Sequence, residues 1–142
     1  MEDIYIGTPN AKQDEFLRCK KKYVAFGGAR GGGKSWAVRC KAKLLAQRYP
    51  GIRMLLVRRT MPEIEANHLE TLRLELAGTA VYRAEERRFV FGNGSVLQFG
   101  YCACDRDADR YQGAEYDVIF FDEATQLKEQ WMRKLAACVR GV

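Results

Sequence analysis

Short apolar runs alternate with longer amphipathic stretches in the first part of this chain. The apolar residues 23–26 end in a series of glycines, which is typical of a buried strand. The stretch from Lys34 to about Tyr49 is predicted to be a helix, which Pro50-Gly51 ends. Residues 52–57 are again apolar and predict a second strand.

A second helix is predicted to begin directly after that strand. Thr60 to Glu63 has the form of a capping box, with a proline early in the first turn. The helix places several apolar residues and His68 on one side. We interpret His68 as a half-buried helix residue rather than a metal ligand.

The remaining pattern contains a hairpin, a strand and a helix. The segments 88–91 and 95–99 flank Gly92-Asn93-Gly94, which predicts a hairpin. Residues 117–121 predict a third buried strand, and a last helix is expected from about Lys128 to Val139. The order of elements predicts an α/β fold with a mainly parallel sheet and an antiparallel hairpin.

Composition agrees with one ordinary globular domain. The chain has 142 residues, of which 47% are hydrophobic and 30% charged. No apolar run approaches the roughly 18 residues of a membrane span, so we expect no membrane association. The net charge of +6 is uneven: residues 1–59 hold 14 basic and 4 acidic residues, and residues 60–142 hold 10 and 14. The basic half could attract a phosphate-rich partner or be an ordinary solvated surface.

The five cysteines predict free thiols in a reducing compartment, because their number is odd and no secretion signal precedes them. Cys102 and Cys104 could offer two thiolates to a metal ion. Zinc normally takes four ligands, and the chain has one histidine. We therefore interpret this pair as part of a buried strand end.

The segment Gly28 to Ser35 fits the phosphate-binding pattern G-x-x-x-x-G-K-[ST], between a strand and a helix. Its glycines let backbone N–H groups surround a phosphate, Lys34 adds a positive charge, and the Ser35 hydroxyl can bind Mg²⁺. Arg30 could stabilise charge on the γ-phosphate, or be a solvent-exposed loop residue. The alternative for the whole segment is a glycine-rich turn before a surface helix. The predicted ATP-binding residues are Gln13, Gly28, Ala29, Arg30, Gly31, Gly32, Gly33, Lys34, Ser35 and Trp36.

Asp122 and Glu123 follow the third buried strand, at the end where ligands bind in open α/β sheets. Asp122 is predicted to hold Mg²⁺, and Glu123 to orient and deprotonate the attacking water. The alternative interpretation is structural, because an acidic pair after a strand is often the N-cap of the next helix. Gln13, upstream of the loop, could recognise an adenine edge. Together these residues predict hydrolysis of ATP.

In combination, these motifs resemble the N-terminal ATPase part of the large terminase subunit of tailed bacteriophages. The resemblance rests on Pro9 and Gln13, on the arginine-containing glycine loop 27–35, and on Val57-Arg58-Arg59-Thr60. It extends through Phe91-Gly-Asn-Gly-Ser95 and Tyr111-Gln-Gly113 to Tyr116-Asp-Val-Ile-Phe-Phe-Asp-Glu-Ala124. It covers nearly the whole chain.

The resemblance implies a RecA-like (ASCE) P-loop core in an enzyme that packages double-stranded DNA into a procapsid. The implied partners are DNA, a portal protein, a small terminase subunit and further copies in a ring. The implied location is the cytoplasm of the infected bacterium rather than the finished virion. Arg110 would act on the ATP of a neighbouring subunit. Basic residues near 18–22, 39–48 and 53–59 are candidates for salt-sensitive contact with the DNA backbone.

Family members would continue into a coupling strand and a nuclease domain, so residues 1–142 are expected to be a partial ATPase domain, incomplete at the C-terminus. The coupling strand would lie between the phosphate-loop strand and the Asp-Glu strand, which predicts a missing central strand and weak or no ATPase activity. Two alternatives remain: another P-loop DNA-dependent ATPase, helicase-like or recombinase-like, or a truncated nucleotide-binding fragment without activity.

Overall fold

The structure is a computed structural model that describes residues 23–26, 32–123 and 126–139, with side chains from Trp36 onward in these ranges. Helices and strands form at most of the predicted positions. The strands are β1 (Tyr23–Phe26), β2 (Arg53–Arg58), β3 (Ala80–Arg83), β4 (Arg88–Phe91), β5 (Val96–Tyr101) and β6 (Val118–Asp122). The helices are α1 (Gly32–Arg48), α2 (Met61–Ile64), a π-helical turn (Glu65–Leu69), α3 (Glu70–Glu75), α4 (Asp105–Asp109) and α5 (Glu129–Ala136).

The described strands form one sheet in the order β1-β6-β2-β5-β4-β3. The pairs β1–β6, β6–β2 and β2–β5 are parallel, whereas β5–β4 and β4–β3 are antiparallel. The predicted hairpin is confirmed as β4–β5. The antiparallel part is larger than the sequence predicted, because β3 adds a third strand to it.

The described sheet has no strand between the phosphate-loop strand β1 and the Asp-Glu strand β6, where the sequence predicted that a central strand would be missing. The sheet is not left open at that point. Instead β1 pairs directly with β6, in a register that joins Tyr23 to Ile119 and Phe26 to Asp122. Direct pairing satisfies backbone N–H and C=O groups that an open position would leave without hydrogen bonds.

The sheet is buried on both faces at β2 and β6, which explains why these strands are apolar without alternation. Met54 and Leu56 of β2 belong to one core cluster, together with apolar residues of α1 and of the helical segment 61–76. Leu55 and Val57 belong to a second cluster, with apolar residues of α4 and α5. The fold therefore has three layers, with a helical layer on each face of the sheet.

Helix α2 begins as the capping box predicted. The Thr60 N–H donates to Glu63 Oε2 at 3.2 Å, and Pro62 lies in the first turn. The helical segment then widens into the π-helical turn before α3 continues. His68, predicted to be half-buried, lies in this turn and is fully buried.

Candidate active site

The site is built where the parallel strands end. In the sheet register, Phe26 pairs with Asp122, and Arg58 pairs with Tyr101. Val57 pairs with Phe121, so the next residues of these two parallel strands, Arg58 and Asp122, lie side by side at the same edge of the sheet. In the sequence, the glycine-rich segment follows β1, and α1 begins at Gly32. The sheet therefore places Phe26, the residue before that segment, beside Asp122.

Asp122 forms a buried cluster with two side chains from other elements. His68 Nε2 lies 2.6 Å from Asp122 Oδ2, and Arg58 Nη1 donates to the same oxygen at 3.0 Å. Their exposed fractions are 0% for His68, 2% for Asp122 and 6% for Arg58. An ionised carboxylate only accepts hydrogen bonds, so His68 Nε2 is the donor. Both hydrogen bonds therefore hold one oxygen of the Asp122 carboxylate.

The cluster keeps Asp122 ionised despite its burial. Burial by itself would raise the pKa of this carboxyl, because it disfavours the charged form. The hydrogen bond from His68 and the positive charge and hydrogen bond of Arg58 outweigh burial, and the pKa of Asp122 is lowered. A negative charge is thus held at the end of β6.

Glu123 has a different environment from its neighbour. Its backbone is left-handed, with φ +55°, which is uncommon for a residue other than glycine. Its side chain is 25% exposed, and Arg58 Nη2 lies 3.9 Å from Oε1. Gln126 N–H donates to the Glu123 carbonyl at 2.9 Å. Asp122 is therefore enclosed, whereas the adjacent Glu123 carboxylate reaches solvent.

Part of the predicted nucleotide site lies outside the described residues. Gln13 and the loop residues 28–31, including Arg30, belong to this part. Gly32, Gly33, Lys34 and Ser35 form the first turn of α1, and only their backbone is described. Trp36 is partly buried and packs against the core cluster on the α1 face of the sheet.

Arg110 contacts a tyrosine rather than the carboxylates of the site. Its Nη1 donates to Tyr101 Oη at 2.7 Å, and its guanidinium lies 5.8 Å from the Tyr101 ring centroid. A weaker ion pair joins it to Asp107 at 3.5 Å, and 57% of its side chain is exposed. It remains accessible to another molecule.

The structure corrects part of the DNA-contact prediction. Lys41 and Arg58 lie in the predicted basic stretches, but they are only 5% and 6% exposed. Lys43 donates to Glu75 at 2.8 Å. Buried or paired cations of this kind are poor candidates for phosphate contact, because their charge is already balanced or enclosed. The exposed arginines of the described part of these stretches are Arg48, Arg53 and Arg59.

Sequence reasoning missed the roles of Arg58 and His68 in the site. Arg58 was noted only as part of a family motif and of a basic stretch, although its place at the end of a buried strand indicates the same sheet edge. His68 is 54 residues from Asp122, and no local pattern connects them. In the described ranges, no group of three or more His, Cys, Asp or Glu side chains could hold a metal ion. No described helix is long and apolar enough to cross a membrane.

Comparisons with known proteins indicate the family and the fold of this chain. Residues 25–137 match the family model described as "Terminase large subunit, T4likevirus-type, N-terminal". The structure resembles the large terminase of a thermophilic bacteriophage (TM-score 0.67, 15% identity), covering 83% of this chain and 31% of that one. A complex of the same phage enzyme with ADP gives a TM-score of 0.59 and 17% identity, covering 81% and 29%. The chain thus spans about a third of the length of these structures. A comparison with curated proteins gives no match.

Proposed function

We propose, from the premise that this chain belongs to the T4likevirus-type terminase large subunit family, that it is the ATP-hydrolysing part of a viral DNA-packaging motor. The proposed fold is a RecA-like P-loop core. The family match favours this function over a helicase-like or recombinase-like ATPase. The ADP in one of the related phage terminase structures supports nucleotide as the ligand.

The observation that carries the proposal is the pairing of β1 with β6. Phe26 is the last residue of β1, and its register partner is Asp122. A phosphate held by the loop after β1 and the N-terminus of α1 would therefore lie beside the Asp122-Glu123 pair. This is the arrangement that ATP hydrolysis needs, since phosphate-binding groups and carboxylates must meet at one point.

Each residue of the proposed site has a distinct task. Lys34 and the loop backbone would bind the β- and γ-phosphates, Arg30 would stabilise charge on the γ-phosphate, and Gln13 would contact adenine. Glu123 would orient a water molecule and accept its proton. The partial exposure of Glu123 supports this role, because an attacking water must reach its carboxylate.

The Asp122 carboxylate fits a magnesium ion that retains most of its water ligands. Mg²⁺ is commonly bound by one or two carboxylates and by substrate phosphates rather than by a complete protein cage. Asp122 is held ionised, and the His68 and Arg58 hydrogen bonds both end on Oδ2. Asp122 and Ser35 would hold the ion, which when bound would neutralise charge on the phosphate oxygens.

Two substitutions test the proposal. Lys34→Ala should abolish binding of a fluorescent ATP analogue, and Glu123→Gln should retain binding but stop phosphate release in an intact, active terminase. Normal hydrolysis by the Glu123 variant would remove it from the role of base. Unchanged nucleotide binding by the Lys34 variant would contradict the loop assignment.

The larger assembly is proposed on the same family basis. Double-stranded DNA would be the translocated substrate, and the portal protein, the small terminase subunit and further copies of the large subunit would be partners in the bacterial cytoplasm. Arg110 would reach a neighbouring copy's ATP. Its exposed side chain supports this role, although its contact with Tyr101 would first have to break.

A further inference from the structure

Polar contacts connect helix α1 to Asp122 through His68. Arg39 of α1 has its Nη1 atom 3.5 Å from His68 Nδ1, and His68 Nε2 lies 2.6 Å from Asp122 Oδ2. Helix α1 begins at Gly32, within the glycine-rich segment. These contacts therefore connect the helix that would bind phosphate to the carboxylate at the end of β6.

The π-helical turn provides the link between these two elements. Arg39 Nη1 also donates to the backbone carbonyl of Asn67 at 2.6 Å, so two consecutive residues of the turn contact the same guanidinium. π-Helical turns are rare and are frequent at functional sites, where they redirect side chains. Here the turn directs His68 into the protein interior, where it is fully buried.

The two ring nitrogens of His68 face different partners. The ionised Asp122 offers only acceptors, so Nε2 must donate to it. Arg39 Nη1 lies 3.5 Å from the other ring nitrogen, Nδ1. The two contacts together hold the ring in one orientation.

We infer that His68 is a positioning residue of the proposed ATP site, which orients the Asp122 carboxylate and connects it to helix α1 through Arg39. Because His68 holds Oδ2, the Asp122 carboxylate cannot rotate freely, and the direction of its other oxygen, Oδ1, is fixed as well. This inference rests on the proposed function, because it gives Asp122 its role toward Mg²⁺ and nucleotide. A purely structural histidine would stabilise the fold without affecting how Asp122 acts toward Mg²⁺ and nucleotide.

The first test uses the fact that the chain has a single histidine. The imidazole ¹⁵N spectrum of the ligand-free 142-residue chain should show a proton on Nε2, the ring nitrogen that lies 2.6 Å from Asp122 Oδ2. An unprotonated Nε2 would overturn the inference, because the ionised Asp122 carboxylate offers only acceptors. This measurement requires neither nucleotide nor metal.

The second test compares two amide side chains of different length. The donor group of His68→Gln can reach the position of Nε2, whereas His68→Asn is too short. The measurement is a MgCl₂ titration of fluorescent ATP-analogue binding. We expect the Asn variant to need about tenfold or more Mg²⁺ for half-maximal effect, the range usual when a group that orients a metal ligand is removed, and the Gln variant to stay close to the parent.

Leu72→Val is the control, because Leu72 is fully buried on the following helix α3 and belongs to the core cluster rather than to the Asp122 cluster. It should leave the Mg²⁺ midpoint unchanged. If both His68 variants keep the parent midpoint, the inference is overturned while the proposed function stands. A parent chain that binds no nucleotide at any Mg²⁺ concentration would contradict the proposed function itself, and the role of His68 with it.

Discussion

The hydroxyl oxygen of Ser95 lies 2.9 Å from the carbonyl oxygen of Ala46, which fastens the hairpin turn to the last turns of helix α1. Ser95 is fully buried, and its hydroxyl is also 3.1 Å from the carbonyl of Tyr49. Asn93 Nδ2 donates to Ala46 as well, at 2.7 Å. The Asn-Gly-Ser sequence therefore supports the far end of the helix that begins at the glycine loop.

Ser95→Ala should lower the free energy of unfolding by about 1 kcal/mol, because it removes a buried hydroxyl that lies within hydrogen-bond distance of the carbonyls of Ala46 and Tyr49. Asn93→Ala should cost less, since Asn93 is exposed and water can replace its amide. Urea unfolding followed by circular dichroism measures both values. A larger loss for the Asn93 variant would contradict this description of the contact.

The sequence predicted this hairpin and its flanking strands, but it did not predict where the turn docks. Local residue chemistry predicts turns, helix starts and buried strands, and most of these are confirmed. Strand β3 was missed because Ala80–Arg83 is short, lies at the sheet edge and exposes Val81. The contacts of His68 with Asp122 and of Ser95 with α1 join residues far apart in the chain, and only the folded topology brings them together.

Gly100→Ala should destabilise the protein by about 1–3 kcal/mol through overpacking. A Cβ at this position would collide with the Tyr111 hydroxyl and would lie 3.2 Å from Leu55 Cδ1. Gly92→Ala is the matched control, because a Cβ there meets nothing within 4 Å. Thermal unfolding of the two variants should separate them clearly. Equal melting temperatures would mean that Tyr111 does not pack against β5 as described.

The Asp122 cluster predicts acid sensitivity in magnesium-free buffer. Because the folded-state pKa of Asp122 is lowered, its contribution to stability is present above the unfolded pKa of about 3.9 and is lost as the pH falls through the folded value. Asp122→Asn should cost about 3 kcal/mol at neutral pH, because it breaks a buried charge cluster, and should reduce the loss of stability below about pH 4. Urea unfolding at neutral pH and across the range of roughly pH 2.5–5 measures both effects. An unchanged acid profile in the variant would contradict the described cluster.

Cys102 and Cys104 should differ in reactivity although only one residue separates them. Cys102 is 1% exposed, and its burial, followed by the nearby charge of Asp107, raises its pKa to about 12. Cys104 is exposed. Iodoacetamide at about pH 8 should therefore modify Cys104 first, because thiolate and access are both required. Fragment-ion mass spectrometry distinguishes the two sites, and faster labelling of Cys102 would be inconsistent with the buried strand end.

The proposed function requires that the glycine loop after β1 and the Asp122-Glu123 pair after β6 form one nucleotide site. Hydrogen exchange with and without Mg²⁺ and ATP tests it most directly in the 142-residue chain. We expect nucleotide to slow exchange in peptides covering residues 27–35 and 121–126 together, while the hairpin peptide covering β4 is unaffected. Protection of only one of the two segments, or of neither, would contradict it.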